Sequence, residues 1–201
     1  MNLEVRLLGL VDFDAAWELQ RSLVPQVTPD RGFLLLLEHP PVFTLGRNGD
    51  PANVLDPHGI PVRRIDRGGD VTYHGPGQLV GYPILDVRRL GVKRYVRSLE
   101  ASLLRLLKDL GVAARRKPGC VGLWTARGKI ASIGVRVARG TSMHGFALNV
   151  SNDLAPFGFI NPCGVPKGAV TSVALELGRA VTVGEAAGRF RLRFGDRMIK
   201  S

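Results

Sequence analysis

The sequence predicts an α/β domain in which helices lie against a sheet, and three stretches carry that prediction. Phe33-Leu34-Leu35-Leu36-Leu37 is continuously apolar rather than alternating, as in a strand buried on both faces. From Val92 to Leu110 the period turns helical: Val92, Tyr95, Val96, Leu99, Leu103, Leu106, Leu107 and Leu110 recur at three and four residues, with Gly111 placed to end the helix. Such a helix covers one face of a sheet. Lys129 to Val137 and Thr141 to Val150, joined by Ala138-Arg139-Gly140, read as a β-hairpin.

The remaining elements fall between these. Glu4 to Leu8 is a first strand, and Asp12 or Asp14 can cap a helix carrying Ala15, Ala16, Trp17, Leu19 and Leu23 that Pro25 and Pro29 end. Glu38-His39-Pro40-Pro41 stops the apolar strand. Val42 to Leu45 is a short strand, Gly46-Arg47-Asn48 a turn and Asn53 to Gly59 a loop. Val62 to Ile65 leads into a glycine-rich centre, Leu79 to Leu85 leaves it as a strand, and Val121 to Trp124 is another. Thr182 and Glu185 form a capping-box pair for a last helix.

The 201 residues, 45% of them hydrophobic, suit one domain spanning 1–201, and no repeat or linker interrupts them. The longest apolar run is far too short to span a bilayer, and the first twenty residues carry Glu4, Asp12, Asp14 and Glu18 rather than a signal-peptide pattern. The expectation is a cytoplasmic protein with no membrane partner. Two cysteines give no disulfide framework. A net charge of +11 attracts acidic partners, either nucleic acid or an acidic protein. The arginines are scattered, with no basic tail and no basic stripe interleaved with aromatics, so a nucleic-acid partner has only the net charge behind it.

The centre of the chain is Ile65-Asp66-Arg67-Gly68-Gly69-Asp70-Val71-Thr72-Tyr73-His74-Gly75-Pro76-Gly77-Gln78. A β-forming run sits between two glycine clusters, which suits either a strand edge lining a pocket or a hairpin with a bulge. The hairpin carries an anomaly. By strand alternation Lys129 shares a face with Ala131, Ile133, Val135 and Val137, and His144 shares one with Phe146, Leu148 and Val150, a parity that a bulge would break. Lys129 is then either a partly desolvated amine with a lowered pKa or a side chain snorkelling from the strand end; His144 is either functional or a satisfied core histidine. Of the two cysteines, Cys163 stands between Pro162 and Gly164 in a turn-rich polar segment, a good setting for a reactive thiol. Cys120 is expected to be a small buried hydrophobe.

With these residues in view the chain resembles the lipoyl(octanoyl) transferases over nearly its whole length. The matching pieces, in order, are Glu38 to Arg47, Arg67 to Gln78, Gly128 to Gly134, His144 to Val150 and Ile160 to Gly164. The resemblance implies the α/β fold of the lipoate and biotin protein ligases, a mixed sheet flanked by helices. It also implies transfer of an octanoyl group from the phosphopantetheine thioester of acyl carrier protein to a lysine of a lipoyl domain. The acceptors it implies are the lipoyl domains of 2-oxoacid dehydrogenases and the glycine cleavage H protein. Cys163 would carry the acyl group as a thioester and Lys129 would pair with it. The acyl pocket would be lined by Arg67, Gly68, Gly69, Asp70, Val71, Thr72, Tyr73 and His74, by Ser132, Ile133 and Gly134, and by Gly145, Phe146 and Ala147, with His144 and Gly77 in support. No ATP, metal or other cofactor is expected.

The residue types suit that chemistry. Exchange between thioesters is nearly isoenergetic, whereas passing the acyl group to an amine is downhill. A free thiol is only a few per cent thiolate at neutral pH, so a nearby lysine helps either as a positive charge or as a proton acceptor. Other chemistries fit less well. The four histidines lack metal-ligand spacing, and Gly75-Pro76-Gly77 is neither a dinucleotide fingerprint nor a phosphate-binding loop. The enzyme alternative is an ATP-dependent lipoate ligase of the same fold, which needs no nucleophilic cysteine.

Overall fold

The computed structural model describes residues 1–161 and 169–198; Cys163 lies outside them. Ten strands and four helices follow one another as β1 (Asn2–Leu10), α1 (Phe13–Leu23), β2 (Arg31–Glu38), β3 (Val42–Leu45), β4 (Val62–Arg64), β5 (Val71–His74), β6 (Gln78–Ile84), α2 (Val92–Leu110), β7 (Arg115–Lys117), β8 (Cys120–Trp124), β9 (Lys129–Ala138), β10 (Thr141–Asn149), α3 (Val173–Leu177) and α4 (Val183–Met198). Seven strands form one mixed sheet in the order β1-β2-β6-β10-β9-β8-β7. Only β1 and β2 run parallel within it. A small second sheet, β4-β3-β5, stands apart.

The continuous apolar run of β2 serves two layers at once. Leu34 and Leu36 pack into a core with α2 and α4, while Phe33, Leu35 and Leu37 pack on the opposite face with Ala16 and Leu23 of α1. The helix α2 buries Tyr95, Leu99, Leu103, Leu106, Leu107 and Leu110 along one stripe. At roughly 1.5–3 kcal/mol for each large apolar side chain, that stripe anchors the helix-covered face. Gly111 closes it in the left-handed conformation, its N–H donating to the Leu107 and Lys108 carbonyls. Asp12 caps α1, and the Thr182 hydroxyl accepts from the Glu185 N–H at 3.1 Å at the start of α4. Because α1 covers only part of its face, the rest of that face, on β6, β9 and β10, is left open beneath the small sheet.

Two strand-face expectations are corrected here. Leu123 pairs with Ala131 but Trp124 pairs with Lys129, so β9 carries one extra residue, Ile130, against β8. This bulge turns Lys129 away from the apolar face it would otherwise share. Ile130 and Ala131 both stay in the helix-side core, and Ile133, Val135 and Val137 pack against it. His144 adopts φ of +56°, a left-handed conformation uncommon for a non-glycine residue. Its ring consequently lies towards α1 at 6.0 Å from Trp17 and 6.2 Å from Tyr82, instead of joining Phe146 and Leu148 on the helix side.

Candidate active site

The open face holds a cavity of about 420 Å³. Its floor comes from β6, β9 and β10, one wall from Phe13 at the start of α1, another from the segment 65–74 of the small sheet, and its rim from the β7–β8 hairpin. Arg67, Gly69, Asp70, Val71, Thr72, His74, Ser132, Ile133, Gly134, His144, Gly145, Phe146, Ala147 and Lys129 all line it. Phe146 and Ile133 reach it from the helix-side core; the Phe146 ring rests 4.6 Å from that of Phe190.

Two residues expected in the lining, Tyr73 and Gly68, stand elsewhere, and Gly77, expected only in support, packs outside it. Tyr73 points to the far side of β5, with its ring 5.5 Å from Phe43 and 5.6 Å from Phe157, because strand alternation sends Thr72 and His74 to the cavity instead. Gly68 is outside the lining; its N–H donates to the Val135 carbonyl at 2.9 Å and fastens the loop onto β9. Gly77, at φ of +86°, packs its backbone against Ser151 and Asn152, and its N–H donates to a Glu38 carboxylate oxygen at 2.6 Å.

Gly134 shows why the loop can come so close. A Cβ there would stand 2.8 Å from Arg67 Cδ and 2.9 Å from the Gly68 carbonyl oxygen, closer than packed atoms approach. Arg67 is thereby pressed into the site. Its Nη2 donates to the Thr44 carbonyl at 2.7 Å and to Thr44 Oγ1 at 3.0 Å, and its Nη1 donates to the Gly68 carbonyl at 3.0 Å. Burial lowers its pKa to about 10, so it stays a cation at neutral pH.

From Arg67 a chain of polar groups runs through the interior. Gln78 donates from Nε2 to the Tyr73 carbonyl and to Asn149 Oδ1, which leaves its Oε1 to accept from His74 Nδ1–H at 2.7 Å. That fixes the His74 tautomer, with Nε2 facing Thr44 Oγ1 at 3.4 Å. Burial pushes the His74 pKa down to about 3, so the ring is neutral. Asn149 Nδ2 donates onward to the Thr171 carbonyl at 3.0 Å. Beside this chain His39 donates from Nδ1 to the Val11 carbonyl and accepts at Nε2 from the Tyr82 hydroxyl, each at 2.7 Å. Burial lowers its pKa to about 4. His144 is also held neutral by burial, and its Nε2–H donates to Asp66 at 2.7 Å. That bond is the main reason the Asp66 carboxyl lies below its usual range, with Arg136 at 2.7 Å adding to it. Three imidazoles are thus spent on holding the walls without carrying charge.

Lys129 is pinned through its backbone. Its N–H donates to the Ala169 carbonyl at 2.8 Å, and its own carbonyl accepts from the Thr171 N–H at 3.0 Å. Glu176 of α3 accepts from Thr125 and Thr171 hydroxyls, each at 2.8 Å, tying both flanks together. The side chain is half-buried, with Nζ 5.1 Å from the centre of the Trp124 ring. Desolvation lowers its pKa from 10.5 to about 8; the neighbouring Cys120 opposes that shift, and the Arg67 charge adds a smaller push downwards.

Cys120 departs from the expectation of a buried structural thiol. It is half-exposed and lines the same cavity as Lys129, because the β7–β8 hairpin folds over the cavity rim at the sheet edge. Phe13, Ile65, Tyr82, Trp124, Phe157 and Val170 also line the site without having been expected there. Phe13 stands directly after the Asp12 cap, and Tyr82 falls within a predicted strand, but no local pattern distinguishes either from core.

The model of the lipoyl protein ligase A/B catalytic domain matches residues 12–195. The chain belongs to that family. It is 54% identical over 191 residues to an octanoyltransferase of Geotalea uraniireducens, covering 93% of this chain and 89% of that one. It is 52% identical over 202 residues to an octanoyltransferase of Geobacter metallireducens, covering 96% and 94%. Among solved structures, lipoate-protein ligase A bound with ATP superposes with a TM-score of 0.85 at 18% identity, over 99% of this chain and 86% of that one. Biotin protein ligase from Aquifex aeolicus follows at a TM-score of 0.58 and 12% identity, over 100% and 69%. The last two likenesses are of fold: the mixed sheet flanked by helices is that of the lipoate and biotin ligases.

Proposed function

We propose that this chain is a cytoplasmic octanoyltransferase that loads Cys163 from octanoyl-acyl carrier protein and passes the acyl group to a lysine of a lipoyl domain, with Lys129 as the proton-handling partner. In the first half-reaction Cys163 gives its proton to Lys129, its thiolate forms a C–S bond to the octanoyl carbonyl, the donor's own C–S bond breaks, and the departing phosphopantetheine thiolate takes that proton back from Lys129. In the second, the acceptor amine attacks the acyl-cysteine, the C–S bond breaks, an amide forms, and the amine's proton passes to neutral Lys129 and on to the departing thiolate.

The observation that carries this reading is the setting of Lys129. A half-buried amine with a lowered pKa faces an acyl-sized cavity, and its main chain is hydrogen-bonded to Ala169 and Thr171, a few residues after the Pro-Cys-Gly motif. The half-identical octanoyltransferases support the same activity. The acceptors proposed are the lipoyl domains of 2-oxoacid dehydrogenases and the glycine cleavage H protein. Because the donor is already a thioester, the reaction needs neither ATP nor a metal.

Intact-mass measurement after incubation with octanoyl-acyl carrier protein tests it. One octanoyl group, removable by hydroxylamine, is expected on wild type and on Cys120→Ser, and none on Cys163→Ser. Acylation of Cys163→Ser but not Cys120→Ser would move the chemistry to the hairpin thiol. Strict dependence on ATP with free octanoate or lipoate would make the chain a ligase.

A further inference from the structure

A second cavity, about 580 Å³, runs along the surface between the N-terminal half of α2 and the β7–β8 hairpin. It is lined by four cations, Lys93, Arg97, Arg116 and Lys117, against a single carboxylate, Glu100. That carboxylate is buried and fully engaged. It accepts from Arg116 Nε at 2.6 Å, from Arg97 Nη1 at 3.3 Å and from the Gly122 N–H at 3.4 Å. Arg116 is fixed further by donating to the Arg97 carbonyl at 3.2 Å. Glu100 therefore orients two guanidinium groups at the groove while neutralising only one of four charges. Among the described residues neither Lys93 nor Lys117 has an ion-pair partner, and Val92 and Val121 offer apolar surface there at 49% and 51% exposure.

The groove opens onto the active site. Gly119, Cys120 and Val121 line both cavities, so the tip of the β7–β8 hairpin is the wall between the groove and the chamber that holds Lys129. We propose that this groove docks the donor, an acidic protein carrying its acyl group on a phosphopantetheine arm, and that the arm crosses the hairpin tip into the cavity. This deepens the reading of the chain as an octanoyltransferase and rests on it. Two features select the donor over the acceptor. A groove displaced from the reacting amine suits a substrate delivered on a flexible arm, whereas an acceptor must bring its own lysine side chain to the chamber. A basic surface also matches the anionic phosphodiester at the root of the arm, a charge that an acceptor offering a lysine side chain does not bring.

The test is the double charge reversal Lys93→Glu/Lys117→Glu, assayed with octanoyl-acyl carrier protein and with octanoyl-pantetheine, a neutral donor without the protein or the phosphate. The expected result is a rise of about tenfold in KM for the carrier-protein donor at low ionic strength, with its salt dependence flattened. The rate with octanoyl-pantetheine and the KM for the lipoyl-domain acceptor should be unchanged, which also reports an intact fold. An unchanged KM for the carrier protein, or an equal rise for both donors, overturns the docking site. A rise confined to the acceptor reassigns the groove to the lipoyl domain and overturns it equally. Wild-type enzyme that transfers from neither donor would instead sink the functional reading.

Discussion

Lys129 offers the sharpest quantitative test. With a pKa of about 8 it is neutral in about one molecule in ten at pH 7, whereas at 10.5 the neutral share would be about one in three thousand, so desolvation raises the available base about 300-fold. Mixing preformed octanoyl-enzyme with a lipoyl domain isolates the second half-reaction. Cys163 is then acylated and does not titrate, leaving Lys129 and the acceptor lysine, ordinarily at about 10.4, to shape the profile. Measured against Lys129→Arg, which shares the acceptor's titration, the wild-type rate constant for amide formation should gain about tenfold per pH unit below 8 and nothing further above it. Lys129→Arg retains the positive charge but cannot give up its proton, so it should lose about 10²- to 10⁴-fold in this step. Its resting thiol should still react with iodoacetamide, whereas Lys129→Met should lose both thiol reactivity and transfer. The shift has a second signature. Between pH 8 and 10.5 the unfolded chain binds a proton that the folded lysine has released, so stability should climb with pH across that window and lose this slope in Lys129→Met. A Lys129→Met enzyme with normal turnover and an unchanged alkylation profile would refute the argument.

Two further predictions concern the walls. His39 and His74, held near pKa 4 and 3 from an ordinary 6.5, are neutral in the fold and protonated in the unfolded chain below pH 6.5, so stability falls as pH falls. Lowering the pH from 7 to 5 should cost about 2 kcal/mol for each ring, read as a lower urea midpoint; a midpoint constant over that range would contradict their burial as neutral groups. Gly134→Ala puts a methyl group against Arg67 Cδ and the Gly68 carbonyl, and should lower stability by about 1–3 kcal/mol while reducing kcat/KM further by displacing the Arg67 loop. Wild-type kcat/KM in that variant would mean the loop's position is not used.

The large elements were legible because their patterns are strong. Phe33 to Leu37 is buried on both faces, and the periodic stretch from Val92 to Leu110 coincides with α2. β7 and α3 carry no sequence signal, the first because three basic residues, Arg115 to Lys117, look like solvated loop, the second because five residues are too few to show a helical period. Alternation misjudged Lys129 and His144 for different reasons. The first depends on a bulge at Ile130, the second on a left-handed backbone, and neither leaves a trace in the order of apolar residues. Tyr73 belongs to the glycine-rich motif whose neighbours line the pocket, but strand alternation turns its ring away towards Phe43 and Phe157. Phe13, Tyr82 and Cys120 reach the cavity from three distant parts of the chain, a convergence that only the tertiary fold creates.

The open seven-stranded sheet has a consequence for how the molecule behaves at high concentration. Its two outer strands each present unpaired backbone groups, a template onto which another chain can add. At one end, β7 is three residues long and reads Arg-Arg-Lys, so brevity and charge both discourage a visitor. At the other, β1 runs for nine residues with Leu7 and Leu10 exposed. The paired charges of Glu4, Arg6 and Arg31 guard its first half, and the register shift after Leu7, with Gly9 in the left-handed conformation, breaks the edge before it ends. Self-association, where it occurs, should begin along β1, and a lysine in place of Leu7 would suppress it without touching the acyl chamber.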